Sequence, residues 1–306
     1  MPEVVRAQNP PTAGQQPLKV QVELVHLFVT VRDKHGGLVA NLEKNDFNVD
    51  EDGQQQKIAY FAKEMDLPLT IGLLIDTSGS QENVLGAEQE AAKRFLERIL
   101  GAKDLAMVIN FDLDVGLLAD FTSEKSVLDR AIDRTQINAP ATPAVVQGPF
   151  PQKPNGTHLY DAIYLACHDK LAEEAGRKAI VVLTDAQDYG SSYQLQDAID
   201  AAQRSDTVVH VLLIADRWQY FGAYEGEGVA RKLADQTGGR VIRVTSEKKL
   251  DQAFDELAQE LRSQYVLGYY PTNAARDGSF RKVKVDVVSG DKDRVLTRDG
   301  YYAPQS

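Results

Sequence analysis

The chain has 306 residues, 43% of them hydrophobic, which is enough apolar material for two cores. Its formal net charge of -11 and pI near 5.0 oppose non-specific binding to nucleic acid or anionic membrane. No apolar run approaches the ~20 residues of a membrane helix, and a single cysteine excludes an intrachain disulfide framework.

Met1 to Pro17 lacks an apolar signal-like core and reads as a flexible tail. From Lys19 to Asp33 the residues alternate, with Val20, Val22, Leu24, His26, Phe28 and Thr30 on one side. Phe47 to Asp52 and Lys57 to Phe61 continue as short strands between Gly-containing turns. Thr70-Ile-Gly-Leu-Leu-Ile-Asp76 is an apolar run that ends abruptly in a carboxylate, followed by Ser78 and Ser80. Such a run is a strand buried on both faces, and its carboxyl end is where open α/β sheets bind ligands. Asp76, Ser78 and Ser80 are hard oxygen donors on one tight loop, suited to Mg²⁺ or Mn²⁺.

Residues 82 to 100 place Val84, Ala87, Ala91, Phe95 and Ile99 on one helical face. Ala106 to Phe111 is a buried strand, and Val115 to Phe121 follows too closely for a crossover helix, so the two form an antiparallel hairpin. After a helical pattern at 124 to 134, residues 139 to 154 hold five prolines and form an extended loop. Asn155-Gly156-Thr157, also a glycosylation acceptor pattern, precedes the helix-like stretch 158 to 173. In that stretch Cys167 shares a face with Leu159, Ile163 and Leu171, as a buried small hydrophobe does. His158 and His168 lie too far apart for a two-ligand face.

Lys178 to Thr184 is another apolar run, and it ends in Asp185. Alternating strand and helix patterns continue through 193 to 204, 207 to 214, 226 to 237, 240 to 244 and 248 to 263, which implies a doubly wound, mainly parallel sheet. The loop 216 to 227 carries Trp218, Tyr220, Phe221 and Tyr224, candidates for a partner-binding rim. Tyr265 to Tyr270, Arg281 to Val288 and Val295 to Tyr301 return to β alternation. Neither flank is long enough for a good core alone, so residues 18–66 and 264–304 are expected to form one discontinuous β-sandwich, with the α/β unit 67–263 inserted in it.

Asp76, Ser78, Ser80, Thr157 and Asp185 together resemble the metal-ion-dependent adhesion site of the von Willebrand factor A domain. That site combines a DxSxS loop, a Thr in a second loop and an Asp in a third. The resemblance covers roughly residues 67 to 263. With Asp46-Phe47-x-Val49-x-Glu51-Asp52-Gly53 and Tyr265-x-Leu267-Gly268-Tyr269-Tyr270-Pro271, the chain is similar to bacterial VWFA-related proteins of the acidobacterial type, over about residues 17 to 304. The resemblance implies one Mg²⁺ or Mn²⁺ held by those five residues, with a coordination position left for an Asp or Glu of a protein partner. It also implies a secreted, periplasmic or cell-surface protein whose signal peptide has been removed. The adjacent metal site of integrin β-subunits is not expected, since its positions are Asn83 and Val84 here.

Enzyme readings fare worse. Asp76-Thr77-Ser78-Gly79 is not the Asp-Thr-Gly of aspartic proteases, an aspartyl phosphatase would need Asp in place of Ser78, and no phosphate-cradling Gly-x-x-x-x-Gly-Lys is present. Metal-assisted hydrolysis, with Asp188 near Asp185, lacks a general base or second metal. The expected function is therefore non-enzymatic, metal-dependent adhesion. A structural subunit of a cell-envelope assembly is the alternative.

Overall fold

The computed structural model describes residues 24–63, 67–137, 156–214, 223–288 and 294–305, except for the side chains of 223–225. The expected tail 1–17 and proline-rich loop 139–154 lie outside the described residues. So do Trp218, Tyr220 and Phe221, and the side chain of Tyr224.

The N-terminal flank forms β1 (Val25–Arg32), β2 (Phe47–Glu51), β3 (Gln54–Gln56) and β4 (Ile58–Lys63). The central unit runs β5 (Leu69–Asp76), α1 (Leu85–Ile99), β6 (Leu105–Phe111), β7 (Val115–Thr122), α2 (Lys125–Asp133), α3 (Leu159–Leu165), β8 (Arg177–Thr184), α4 (Leu195–Arg204), β9 (Thr207–Ile214), α5 (Ala223–Thr237), β10 (Val241–Val244) and α6 (Glu247–Arg262). The C-terminal flank adds β11 (Tyr265–Tyr269), β12 (Phe280–Val287), β13 (Arg294–Leu296) and β14 (Gly300–Tyr302).

The central sheet has strand order β10-β9-β8-β5-β6-β7, parallel except for the β6–β7 hairpin at its edge. Every residue of β5 is buried, because helices cover both faces. Leu69, Ile71, Leu73 and Ile75 pack with apolar residues of α1, α2 and α6, and Leu74 packs with those of α3, α4 and α5. β5 lies between β8 and β6, so the strand order reverses around it and leaves a crevice at its carboxyl end.

Two local outcomes differ from the sequence pattern. α1 is turned so that Leu85, Glu88, Ala91, Ala92, Phe95, Leu96 and Ile99 are buried, while Val84 and Ala87 are only half-buried. The stretch from 158 to 173 is not one regular helix: α3 widens into a π-turn at Ala166–Lys170 and tightens into a 3₁₀ turn at Leu171–Glu173. Leu159, Ile163, Cys167 and Leu171 are nevertheless all buried, and burial pushes the Cys167 thiol up to about 12, which makes it inert.

The flanks pair with each other. One sheet has order β13-β1-β11-β4 and the other β14-β12-β2-β3, so each contains strands from both ends of the chain. One cluster, with Leu27, Val29, Val49, Leu267, Tyr269 and Val285 among its residues, fills the space between them. In β1 the inward set is Val25, Leu27, Val29 and Val31, one residue out of phase with the alternation through His26 and Phe28. His26 and Phe28 line a small cleft with Ala202 and Val208 of the α/β unit, so both faces of β1 meet protein. Glu51 is buried and accepts hydrogen bonds from the Tyr269 and Tyr301 hydroxyls, both at 2.8 Å, which ties the N-terminal flank to two C-terminal strands.

The chain passes into the α/β unit after β4 and returns through β11, and these two strands are paired, with Lys63 opposite Tyr265. The buried guanidinium of Arg177 donates to the carbonyl of Leu67, on the connection into the unit, and to that of Leu261, in the last turn of α6 just before the connection back. Arg32 of β1 reaches Glu260 of α6 at 2.7 Å, and Arg240 reaches the same carboxylate oxygen at 2.6 Å. His210 lies beside this cluster in β9, fully buried, with neither ring nitrogen hydrogen-bonded.

Two outcomes follow from this architecture. Deleting residues 264–306 removes β11 from between β1 and β4, so hydrogen exchange should accelerate throughout residues 25–63, while residues 67–263 expressed alone should keep a protected sheet. Persistent protection of 25–63 after the deletion would contradict the shared sandwich. Burial lowers the His210 imidazole from 6.5 to about 4; Glu260 opposes this shift, and Arg240 and Arg32 reinforce it. The unfolded chain therefore binds the proton first, so stability should fall as pH drops from about 6.5 to about 4, by roughly 3 kcal/mol. Comparing melting curves of native protein and His210→Gln isolates this component. Parallel pH profiles for the two proteins would count against it.

Candidate functional site

The loops at the carboxyl ends of β5, β6 and β8 meet at one end of the sheet. Asp76 is the last residue of β5, fully buried, and its Oδ1 accepts the Ser78 N–H at 2.9 Å. Its Oδ2 accepts the Thr184 hydroxyl at 2.6 Å. The Ser78 and Ser80 hydroxyl oxygens lie 3.0 Å apart, so the alternation of the DxSxS loop puts both on one side of the turn. The Thr77 N–H donates to the Phe111 carbonyl at 2.9 Å and its hydroxyl to Asp112 at 2.7 Å, which fastens this loop to the end of β6.

Asp185 follows β8 directly and is buried; its Oδ1 accepts the Gln187 N–H at 3.1 Å. Ala186 then takes a left-handed conformation with φ 58°, uncommon for a residue with a side chain and characteristic of functional loops. α5 packs close against this turn, since a Cβ on Gly226 would stand 2.2 Å from the Asp185 carbonyl oxygen. Thr157 is buried and its backbone exchanges two hydrogen bonds with Tyr189, at 3.1 and 3.0 Å. The neighbouring His158 N–H donates to the Asp112 carbonyl at 2.8 Å. All five residues of the sequence pattern therefore sit in one network of tethered loops.

The electrostatics of this network are unfavourable to an anion. Burial, and then the Asp185 carboxylate, push the Asp76 carboxyl up to about 7 despite its neutral donors. Burial also raises Asp185, against hydrogen bonds from the Gln187 N–H and the Ser80 hydroxyl. Among the described residues no three His, Cys, Asp or Glu side chains gather as a ligand set, so the donors here are two carboxylates and hydroxyls. Two buried carboxylates with hard hydroxyl neighbours and only neutral hydrogen-bond donors fit a hydrated divalent cation, which would remove their repulsion.

Sequence reading overlooked several residues. Asp112 and Thr184 occupy strand ends next to Asp76 and Asp185, and the strand-end rule applied to β6 would have found the first. Glu88 faces the core in the first turn of α1 with no partner on either oxygen, and burial and the Asp76 charge push it up to about 8. Its signal was a carboxylate spaced three residues from Leu85 and from Ala91. Asp188, considered above for hydrolysis, accepts the Tyr160 N–H and the Ser191 hydroxyl at 3.2 and 2.6 Å, as a turn-capping residue does. A cleft of about 740 Å³, lined by Arg204, Arg298 and Tyr302, lies between the sandwich and the α/β unit and includes none of the loop residues.

A family model described as the von Willebrand factor type A domain matches residues 71–187. No curated protein matches the chain. Proximal thread matrix protein 1 (PTMP1) from the mussel byssus, in a structure with a zinc-occupied MIDAS motif, aligns at 13% identity and TM-score 0.52, over 69% of this chain and 49% of its own. BatB from Bacteroides thetaiotaomicron aligns at 19% identity and TM-score 0.46, over 64% of this chain and 100% of its own. The vWF domain of the type V pili tip protein Mfa5 from Porphyromonas gingivalis aligns at 14% and 0.47, over 64% and 96%. This chain thus spans about half the length of the PTMP1 structure, and at 13% identity that likeness is one of fold. The family-model match over residues 71–187 falls within the α/β unit, whose crevice at the end of β5 and edge hairpin make that unit similar to a von Willebrand factor type A domain.

Proposed function

We propose that the α/β domain is a divalent-metal-dependent protein-binding module, with Asp76, Ser78, Ser80, Thr157 and Asp185 holding one Mg²⁺ or Mn²⁺. The observation that carries this reading is the buried pair Asp76 and Asp185, raised by burial and, for Asp76, by the other's charge, beside hydroxyls poised to donate or ligate. The zinc-occupied MIDAS motif of PTMP1, on the same fold, supports a cation in this place. Hard oxygen donors favour Mg²⁺ or Mn²⁺ over softer ions.

A cation bound by so few protein oxygens keeps a position for a partner's Asp or Glu carboxylate, and the partly dehydrated rim strengthens that contact. Leu113 and Tyr189 are 39% and 51% exposed on the loops flanking Thr157 and supply apolar contact beside it. Trp218, Tyr220, Phe221 and Tyr224 are proposed, from their residue types alone, as further contacts for the partner. The protein acts without enzymatic chemistry, outside the cytoplasm, as a secreted, periplasmic or cell-surface adhesin. Its β domain, residues 18–66 with 264–304, carries the type A domain 67–263.

Mg²⁺ or Mn²⁺ should raise the melting temperature, with about 2.7 kcal/mol gained at a hundredfold excess over the dissociation constant. Asp76→Ala should fold and show no such gain. An unchanged melting curve, together with calorimetry showing no heat of binding, would refute the site.

Affinity capture in Mg²⁺ should retain a partner that is lost in chelator and lost with Thr157→Ala. Changing one acidic residue on that partner to its amide should weaken binding about tenfold, or about 1.4 kcal/mol. A partner held equally under all conditions would point to a structural role.

A further inference from the structure

Buried carboxylates elsewhere in this chain have donors. Glu51 accepts two tyrosine hydroxyls, Asp104 accepts the backbone N–H groups of Leu69 and Gly101, and Glu260 accepts two guanidinium groups. Among the described residues Glu88 differs: it is 0% exposed, and neither oxygen has a partner. Gln81, 1% exposed, likewise buries an unpartnered side-chain oxygen, while its amide nitrogen lies 3.4 Å from the Ser80 hydroxyl. Both residues belong to the segment running from the DxSxS loop into α1. The Gln81 N–H bonds the Ser78 carbonyl, the Val84 N–H bonds the Gln81 carbonyl, and the Glu88 N–H bonds the Val84 carbonyl.

The orphaned Gln81 oxygen is an acceptor, and so are both Glu88 oxygens once a nearby cation ionises that carboxyl; the carboxylate whose charge bears on Glu88 is Asp76. A buried acceptor without a donor costs about 1–3 kcal/mol, and more when charged. A deficit made only of acceptors, behind an anionic loop, calls for hydrogen-bond donors that carry positive charge. Water held by a hard divalent cation is such a donor, because the ion polarises its O–H bonds and Mg²⁺ keeps several waters. Among the described residues no third carboxylate joins Asp76 and Asp185 as a ligand set, so a role at one remove from the ion is the one open to Glu88.

We infer that Glu88, with Gln81, forms the inner wall of the metal site, accepting hydrogen bonds from water carried by the cation, and that the Glu88 charge sets how tightly the cation is held. This rests on the metal-binding reading above and goes beyond its five residues. Glu88 is a positioning residue: it orients the ion's water and does not touch the partner. The carboxylate lies among the buried apolar residues of α1.

The test uses the full chain and Mn²⁺ alone, with free Mn²⁺ counted by its paramagnetic resonance signal, on native protein, Glu88→Gln and Glu88→Asp. Glu88→Gln should bind at least about tenfold more weakly, the usual effect of removing an outer partner. In chelator its melting temperature should stay at or above the native value, since burial already holds the metal-free Glu88 carboxyl protonated at neutral pH and the amide replaces one neutral group by another. Glu88→Asp keeps the charge and should recover affinity to within about threefold of native. Equal Mn²⁺ affinity in native protein and Glu88→Gln overturns the inference while the metal site stands, as does equal loss in both variants, which would make the effect one of packing. Native protein that binds no Mn²⁺ overturns the metal reading itself and this inference with it. If Glu88→Gln lacks the native circular dichroism, Gln81→Leu replaces it. A several-fold weaker Mn²⁺ affinity there supports the wall, and native affinity overturns it.

Discussion

A carboxylate at the end of a strand buried along its whole length is the constraint around which the rest of this protein is arranged. Asp76 closes a strand whose every residue is buried, so its charge has no water to fall back on. Its hydrogen-bond donors are neutral, and its nearest charged influence is another carboxylate. In a medium of low polarity such a group is either neutralised by a proton or matched by a cation. The hydroxyls of Ser78 and Ser80, the strained turn at Ala186 and the close approach of Gly226 are all consequences of keeping that end of the sheet narrow and rich in oxygen.

The loops around Asp76 are held by backbone hydrogen bonds to one another, not by long side chains. The Thr77 N–H reaches the Phe111 carbonyl, the His158 N–H reaches the Asp112 carbonyl, and Thr157 pairs with Tyr189. Such ties fix oxygen positions with little side-chain entropy to lose, which favours a pre-organised site. At the other end of the unit, charged side chains take over. Glu260 on α6 binds Arg32 of the sandwich and Arg240 of its own unit, so any shift of that helix would be felt across the junction.

Much of this was legible in the sequence because it rests on short-range rules. An apolar run that stops at a carboxylate marks a strand end, and this was visible at Asp76 and Asp185. Two strands separated by Asp112-Leu113-Asp114 must form a hairpin, as β6 and β7 do. What could not be read depends on tertiary packing. α1 is rotated so that Glu88 is buried in place of Val84 and Ala87, because the sheet beneath it, and not the helix alone, selects the inward face. The phase of β1 was ambiguous since both of its faces are covered, one by the sandwich and one by the α/β unit. Arg177 gave no signal at all: a buried arginine that satisfies two main-chain carbonyls is recognisable only once Leu67 and Leu261 are adjacent.

That adjacency has a mechanical consequence. The two connections between the α/β unit and the sandwich leave from neighbouring points, pinned by one guanidinium, and run into strands paired at Lys63 and Tyr265. A tug on the loops beyond Asp76 would travel down the sheet and reach β4 and β11 together, as a load divided between two tethers. Because those strands lie side by side and antiparallel, β4 at the edge of a four-stranded sheet and β11 inside it, with β1 hydrogen-bonded along the far side of β11, neither tether can be drawn out without rupturing a ladder along its length.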